Sequence, residues 1–137
     1  MDLPRCGAMS RIVIGGGPRT GKTTLANELK TVWHVPGPLR HTDDLIENLT
    51  WRMASQIVAG WFDQPGPWII EGVTVSRALR KWHQQHRGSG PPIDCCIFLE
   101  EPYEPLTAGQ AAMTWGVATV HSEVAEWLRE HGIRAWP

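Results

Sequence analysis

Residues 16–23 read GGPRTGKT and fit the pattern G-x-x-x-x-G-K-[ST] of phosphate-binding loops. A short β-branched run over 11–15 precedes the loop, and residues 24–30 have the composition of a helix start. A glycine-rich loop between a strand and a helix points successive backbone N–H groups at one spot, where the helix dipole adds partial positive charge. This stretch therefore predicts a strand–loop–helix unit that binds a polyphosphate anion.

The loop also supplies two side chains with defined chemistry. In this motif Lys22 reaches the β- and γ-phosphates, and the Thr23 hydroxyl is a ligand of Mg²⁺. We therefore expect ATP and Mg²⁺ to bind here, with GTP as the alternative nucleotide. Arg19 is expected to point outward but to remain within reach of a phosphate. The expected nucleotide-binding residues are Gly16, Gly17, Pro18, Arg19, Thr20, Gly21, Lys22, Thr23 and Thr24.

The composition is typical of one globular domain spanning residues 1–137. Hydrophobic residues make up 42% and charged residues 20%, and the formal net charge is −1. The lack of a basic run argues against a nucleic-acid partner. The sequence contains no signal peptide and no apolar run near the roughly 20 residues that a membrane span needs, so we expect a cytoplasmic protein.

The three cysteines, Cys6, Cys95 and Cys96, form no CxxC pair and suggest no disulfide framework. Cys95 and Cys96 are neighbours in an apolar run, so their side chains should face opposite sides of a strand. We interpret these two as core or near-core thiols in a reducing compartment.

Apolar runs alternate with helical patterns, which predicts an α/β fold with a parallel sheet. The strand candidates are 11–15, 38–42, 67–71, 93–99 and 133–136. Helices are predicted at about 22–33 and 75–86, and from a capping box at Thr107 to about His131. A further helix is expected to bury the apolar stripe formed by Leu45, Ile46, Leu49, Met53 and Ile57. Ligands of such sheets bind beyond the carboxyl ends of the strands.

Two carboxylates, Asp43 and Asp44, directly follow the second strand candidate. A carboxylate at that edge can accept the proton of a hydroxyl that attacks a γ-phosphoryl group. We assign this catalytic or substrate-binding role to Asp43. Asp44 would contribute to the substrate site by capping or orienting, since it suits a helix N-cap with Glu47 three residues later.

The run WIIEG at 68–72 is an apolar strand that ends in an acid, the form of a Walker B element that holds Mg²⁺. Glu71 is therefore the expected metal partner of Thr23 and a neighbour of the substrate. Glu100, at the end of the next apolar strand, is the alternative. Gly72 would let a substrate approach the backbone closely.

Arg77 and Arg80 follow that strand, one turn apart on a helix face. Arginine binds phosphate or carboxylate through its planar fork, so both are candidate catalytic residues. The alternative interpretation of both is a solvated helix face. A solvated face is also the interpretation of His83 and His86, which lack further metal ligands at matching positions.

With GGPRTGKTT, HTDD and WIIEG in this order, the chain resembles the small P-loop kinases, which include the shikimate, gluconate, uridine and adenylate kinases and the 5′-hydroxyl nucleic-acid kinases. The resemblance covers almost the whole chain. It implies a three-layer sandwich with a five-stranded parallel sheet of strand order 2-3-1-4-5. It also implies that Asp43, or Asp44 if the register shifts, meets the acceptor hydroxyl. The strand order makes the Glu71 strand a neighbour of the P-loop strand, which favours Glu71 over Glu100.

The chain departs from these kinases in one respect. They usually carry an arginine-bearing lid after the fourth strand, whereas here no Arg or Lys lies between Arg87 and Arg129. Lid arginines stabilise transition-state charge and close the site against water. Arg77, Arg80, Arg87 or a partner subunit would have to replace them.

The leading prediction is a Mg²⁺-dependent kinase that moves the γ-phosphoryl group of ATP to a small hydroxyl or phosphate acceptor. A rival is a nucleotide-binding module or slow ATP hydrolase that acts through a protein partner, and a homodimer is one form this could take. A third reading is a nucleic-acid 5′-hydroxyl kinase, which the near-neutral charge disfavours.

Overall fold

The computed structural model describes residues 6–46, 49–133 and 135–136, and for Ile46, Ala135 and Trp136 the backbone alone. Strands and helices alternate along these residues. In chain order the elements are β1 (Arg11–Gly16), α1 (Lys22–Val32), β2 (Leu39–His41), α2 (Asp43–Ile46), α3 (Trp51–Trp61), β3 (Trp68–Glu71), α4 (Val75–Gln85), β4 (Cys95–Leu99), α5 (Ala108–Glu130) and β5 (Ala135–Trp136).

The strands form a parallel sheet in the order β2-β3-β1-β4, and the two residues of β5 run parallel to β4 at its outer edge. β1 is central because its β-branched residues are buried on both faces, as a parallel strand requires. Ile12 pairs with Ile69 of β3 on one side and with Cys95 of β4 on the other. The predicted α/β class, the parallel sheet and the order of these first four strands are confirmed.

Helices cover both faces of the sheet. On one face Ile12, Ile14 and Ile69 pack with Ala26 and Leu29 of α1. The other face packs against α3, α4 and α5 through a larger cluster, formed by Val13, Val58, Ala59, Phe62, Trp68, Ile70, Val75, Ala78, Leu79, Trp82, Ile93, Cys96, Val124, Trp127 and Leu128. The alternation of side chains along β1 therefore assigns successive residues to opposite cores.

The predicted apolar stripe over residues 45–57 is wrong in its register. The predicted single helix is in fact two helices, α2 and α3. Thr50 caps α3 by accepting the Met53 N–H at 3.2 Å. Met53 and Ile57 are 51% and 40% exposed. The buried face of α3 is formed by Ala54, Ser55, Val58 and Ala59. A stripe counted over residues 45–57 as if they formed one helix is therefore displaced, because α2 and α3 are separate helices.

The other helices follow their predicted bounds closely. α4 buries Ala78, Leu79 and Trp82, as expected. α5 begins with the predicted capping box between Thr107 and Gln110 and runs unbroken for 23 residues. Among the described residues, no helix is both long enough and apolar enough to span a membrane.

The structure corrects the prediction for the cysteines. Cys6 and Cys95 form a disulfide across a sequence separation of 89 residues, and Cys96 alone is a free, buried thiol. Sequence spacing could not indicate this bond, because the sheet brings the two positions together. The expected opposite orientation of Cys95 and Cys96 is confirmed, since the two pack in the cores on opposite faces.

The parallel register also places the strand ends that matter for function. Gly16 of β1 lies beside Leu99 of β4, and His41 of β2 lies beside Glu71 of β3. The carboxyl ends of four strands therefore meet along one edge, where α1, α2 and α4 begin.

Candidate functional site

The turn between β1 and α1 has the backbone geometry of an anion-binding loop. Arg19 and Gly21 have positive φ values of 58° and 86°, and Gly21 is the N-cap of α1 without any side-chain cap. Thr20 Oγ1 donates to the Gly17 carbonyl at 3.0 Å and closes the turn. Because no side chain caps the helix, its first N–H groups remain available to an anion.

Lys22 lies across this loop. Its side chain is 5% exposed, and Nζ donates to the Gly17 carbonyl at 2.5 Å. Burial lowers the pKa of Lys22, and the negative charges of Asp43 and Glu71 oppose that shift. The ammonium group is thus held beside the loop carbonyl and within the field of two carboxylates.

Glu71 is the centre of a buried polar cluster at the end of β3. It is 1% exposed, and its Oε1 accepts from Thr23 Oγ1 at 3.1 Å and lies 2.6 Å from His41 Nδ1. Its Oε2 is buried and has no hydrogen-bond partner within the described structure. The predicted partners Thr23 and Glu71 are therefore in contact, whereas Glu100 is exposed.

These oxygens suit Mg²⁺. Mg²⁺ prefers hard oxygen ligands, commonly one or two from the protein with the rest from phosphates and water. Thr23 and Glu71 offer a hydroxyl and a carboxylate, and the unpartnered Oε2 has the chemistry of a ligand. No cluster of three or more His, Cys, Asp or Glu side chains with metal-binding geometry occurs within the described ranges. The residues present therefore fit a shared protein–phosphate Mg²⁺ site.

Asp43 is fixed at the start of α2. Its Oδ1 accepts the Val73 N–H at 3.1 Å and the Thr42 hydroxyl at 3.3 Å. Gly72, at φ 145°, allows this arrangement, since an added Cβ would lie 1.8 Å from Thr42 Oγ1. The sequence analysis expected a substrate to approach the backbone at Gly72. In the structure the group that approaches it is the Thr42 side chain.

Asp44 takes a different position from the predicted one. α2 begins at Asp43, so Asp44 is in the first helical turn and not at the cap. Its side chain is exposed and does not line the cavity described below. The predicted box partner, Glu47, lies outside the described residues.

A cavity of about 750 Å³ opens beyond the loop, and we call it the phosphate cavity. It brings together the loop, Asp43 and a segment that follows β4. Its lining residues are Pro18, Arg19, Thr20, Gly21, Lys22, Thr23, Thr24, Leu25, Glu28, Asp43, Leu99 and Tyr103.

Tyr103 is a wall residue of this cavity that the sequence analysis missed. Its side chain is 68% exposed, and its backbone N–H donates to the Arg19 carbonyl at 2.8 Å. The next residue, Glu104, forms an ion pair with Arg19. The segment after β4 is therefore tied to the phosphate loop. An aromatic residue just beyond the carboxyl end of a central strand was the signal that could have identified it.

Arg77 and Arg80 lie elsewhere, in a second concavity between α3 and α4. We call it the arginine cleft; it measures about 270 Å³ and is lined by Trp51, Arg52, Ser55, Arg77, Arg80, Lys81 and Gln84. The Arg77 guanidinium stacks over Trp51 at 4.7 Å, and Arg80 pairs with Glu123 of α5 at 3.0 Å. Neither arginine lines the phosphate cavity.

His83 and His86 take part in aromatic packing. The His83 ring stacks on Trp127 and the His86 ring on Trp82, each with centroids 4.0 Å apart. The pair therefore faces aromatic neighbours on α4 and α5, in place of the solvated face expected from the sequence.

No protein-family model matches this chain, and no curated protein matches it in sequence. The case for its function therefore rests on the residues and geometry described above.

Proposed function

We propose that this chain is an ATP-binding phosphotransferase with the three-layer fold of the P-loop kinases, acting on a small acceptor with Mg²⁺. One observation carries the proposal: Lys22, Thr23, Glu71 and Asp43, chosen from three separate motifs, converge at the edge of the sheet beside the phosphate cavity. A turn that only joined a strand to a helix would not need a buried lysine flanked by two carboxylates.

The loop would hold the triphosphate of ATP. The backbone N–H groups after Gly21 would donate to phosphate oxygens, and Lys22 would turn from the Gly17 carbonyl to the β- and γ-phosphates. Thr23 and Glu71 would hold a Mg²⁺ ion, which would supply positive charge against the negative charge that develops during transfer. His41 would help to orient the Glu71 carboxylate through the same oxygen, Oε1, that accepts from Thr23.

Asp43 would act on the acceptor. Its carboxylate lines the phosphate cavity and is oriented by the Val73 N–H. As the acceptor hydroxyl oxygen bonds to the γ-phosphorus, the bond from that phosphorus to the β,γ-bridging oxygen breaks, and ADP leaves with the electron pair. Asp43 takes the hydroxyl proton, which balances the step.

Tyr103 would face the nucleoside end of ATP. Its exposed ring lies at the wall of the same cavity, on a segment tied to the loop through Arg19. Aromatic rings bind nucleobases by stacking, with little selection among bases. This arrangement accommodates ATP and, as the alternative, GTP.

A second candidate is a nucleotide-binding module that hydrolyses ATP slowly and acts through a partner or a second copy of the chain. The observation that favours it concerns arginine. Arg19 is the one arginine among the described lining residues of the phosphate cavity, and it is paired with Glu104. A site without a free arginine lacks the group that speeds phosphoryl transfer in many P-loop enzymes.

One experiment separates these candidates. Calorimetry should detect MgATP binding to the full chain, and Lys22→Ala should weaken that binding about 10- to 100-fold, as expected for a charge-assisted contact. Transfer from γ-labelled ATP is then followed over a panel of hydroxyl and phosphate acceptors. Asp43→Asn should reduce transfer by about 100-fold or more and leave ATP affinity unchanged.

Asp44→Asn is the matched variant, because it removes the adjacent, exposed carboxylate. Transfer lost in Asp44→Asn and kept in Asp43→Asn would reverse the assignment. Binding of ATP with a change in oligomeric state and no transfer to any acceptor would favour the module. If neither MgATP nor MgGTP binds, both candidates fail.

A further inference from the structure

The arginine cleft is a concavity whose charged lining side chains are all positive. Four of its lining side chains are cationic, and none of the described lining residues is acidic. Arg77, Arg80 and Lys81 project from one face of α4, at the three- and four-residue spacings that place like charges side by side. Arg52 of α3 faces them across the cleft. Such a surface attracts an anion.

Arg77 is the most constrained of these cations. Its guanidinium lies over the Trp51 ring at 4.7 Å, and its Nη2 would be 3.3 Å from a Cβ placed on Gly116 of α5. Its Nη1 is buried without a hydrogen-bond partner among the described residues. Burial lowers the pKa of Arg77, and the nearby charge of Arg80 adds to that shift. A buried guanidinium donor without an acceptor calls for a ligand.

The unpartnered atoms concentrate at this part of the chain. Within the described structure four buried side-chain polar atoms lack a partner, and three belong to Glu71, Thr74 and Arg77. These residues span the end of β3 and the first turn of α4. Native structures rarely leave such atoms unpaired. Of these three residues, Arg77 lines the arginine cleft, so a ligand there could supply its missing acceptor.

A short series of contacts connects the arginine cleft to the phosphate cavity. Trp51, which forms the floor beneath Arg77, packs against the cluster that contains Val73. The Val73 N–H in turn donates to Asp43, which lines the phosphate cavity. A small molecule that reaches from the cleft toward Asp43 would therefore lie across this short segment.

We propose that the arginine cleft binds a phosphate group carried by the acceptor, which places the acceptor hydroxyl at Asp43. This inference rests on the proposed transferase function and names its substrate class: a phosphorylated small molecule with a free hydroxyl group. Phosphate is favoured because guanidinium groups bind it in a bidentate manner and because several cations converge on a small volume. Arg77 and Arg80 then bind the acceptor and do not contact the γ-phosphoryl group.

The first test uses inorganic phosphate as the probe. The full chain is loaded with Mg²⁺ and a non-hydrolysable ATP analogue, so that the phosphate cavity is filled, and phosphate is titrated in. The readout is the indole N–H signal of Trp51 in ¹H–¹⁵N spectra, assigned with Trp51→Phe. Phosphate should shift this signal, and Arg77→Gln should weaken phosphate binding about tenfold. Acetate should bind more weakly than phosphate.

Arg87→Gln is the matched control, because Arg87 is an exposed arginine just beyond α4 that does not line the cleft. It should change phosphate affinity less than twofold. An unshifted Trp51 signal, or equal losses in the two variants, would overturn the proposal. If Arg77→Gln does not fold, Lys81→Gln serves instead, with an expected loss of about threefold.

The second test measures transfer with matched acceptors, such as a nucleoside monophosphate against its nucleoside and a sugar phosphate against its sugar. The phosphorylated member of each productive pair should have at least about tenfold higher kcat/KM, and Arg77→Gln should abolish that preference. Equal use of both members would refute the acceptor assignment.

Failure of the proposed function can be told apart from failure of this inference. If the ATP analogue does not bind, the transferase proposal fails, and with it the acceptor role. The phosphate titration then runs on Lys22→Ala, whose loop is impaired, and a Trp51 shift still supports an anion site. If the analogue binds and phosphate leaves Trp51 unchanged, only the inference fails.

Discussion

The phosphate cavity, beyond the loop between β1 and α1, and the arginine cleft, between α3 and α4, differ in how their charges are balanced. In the phosphate cavity the buried ammonium of Lys22 lies in the field of Glu71 and Asp43, whose negative charges oppose the effect of burial on its pKa. Such a site is close to neutral and suits a nucleotide whose charge is partly cancelled by Mg²⁺.

In the arginine cleft the charges are unbalanced. Among the described residues of the cleft, Arg80 alone has a carboxylate partner, the exposed Glu123. Burial and the positive charge of Arg80 both lower the pKa of Arg77. In the first site, cationic and anionic side chains of the protein therefore offset each other, whereas in the second our proposal assigns the missing negative charge to a bound anion. Each prediction below tests one side of this contrast.

The largest expected effect follows removal of the central carboxylate. Glu71→Gln leaves Lys22 with one acid fewer and removes the carboxylate that His41 contacts. Removing one member of a buried charge pair leaves an uncompensated charge, so we expect the free energy of unfolding to fall by about 3 kcal/mol. Urea denaturation measures this change.

Glu100→Gln is the control, because Glu100 is an exposed acid at the end of the neighbouring strand β4. Its effect should stay within about 0.5 kcal/mol. If the two variants are equally stable, the charges of the phosphate cavity are not balanced by Glu71.

The second prediction concerns the pH dependence of stability and the partly buried side chain of His121 on α5. The His121 ring stacks on Phe98 of β4 with centroids 3.8 Å apart, and burial, followed by the charge of Arg129, lowers its pKa to about 4. Because the folded pKa lies below the unfolded value of 6.5, the unfolded chain binds more protons between these values. Stability should therefore fall as the pH drops from 6.5 to 4 and level off below.

The expected loss over that interval is on the order of 2 kcal/mol, after allowance for solvent screening of a partly exposed ring. Thermal unfolding across this pH range measures the loss. His121→Phe keeps a stacking ring that cannot titrate, so it should flatten the slope of stability against pH. His34→Asn, at an exposed histidine with φ 51°, should keep the slope. An unchanged slope in His121→Phe would assign the acid sensitivity to other groups.

The third prediction, a smaller effect on affinity, distinguishes contacts with the nucleoside of ATP from contacts with its phosphates. Tyr103→Ala should weaken MgATP binding about tenfold, since stacking of one base on an aromatic ring contributes about 1–3 kcal/mol. Binding of inorganic tripolyphosphate should not change, because the Tyr103 backbone N–H still donates to Arg19. Tyr103→Phe should behave like the wild type. Equal weakening of both ligands would mean that Tyr103 only supports the loop.

The part of the site that sequence could predict is the part encoded locally. The backbone of the loop at 16–23 is determined by its glycines and by the helix that follows. The motif and the β-branched strand before it were therefore enough to predict the strand–loop–helix unit. The contact between Thr23 and Glu71 was also predictable, because parallel strands end at a common edge. Both inferences needed only chain order and strand polarity.

The sequence analysis missed three features of the structure. The stripe through Met53 and Ile57 failed because a separate helix begins after the extended residue Thr50, which periodicity alone does not detect. The Cys6–Cys95 bond joins positions 89 residues apart, and Tyr103 reaches the cavity through a loop whose course depends on Arg19. In the last two cases the deciding contact joins residues far apart in the sequence, whereas the error in register arises from a local helix start at Thr50.

Arg77 shows the same limit. Its helical spacing with Arg80 was visible in the sequence, but the Trp51 ring beneath it belongs to another helix. Only the packing of α3 on α4 distinguishes a solvated basic face from a cleft with a buried, unpartnered donor. The sequence suggested phosphate or carboxylate binding, and the structure suggests where the bound group would lie.

The smallest expected effect is a change in stability that does not share the sign of the loss predicted for Glu71→Gln. Lys81 follows Arg77 by four residues on α4, and like charges at that spacing destabilise a helix by about 0.2–0.5 kcal/mol. In chloride buffer Lys81→Gln should therefore be as stable as the wild type or slightly more stable. In phosphate buffer the order should reverse, because the wild type would bind the anion more tightly and bound ligand stabilises the folded state. Paired urea titrations in the two buffers, with Arg87→Gln as the reference, test this reversal, and the same ranking in both buffers would mean that the cleft has no preference for an anion.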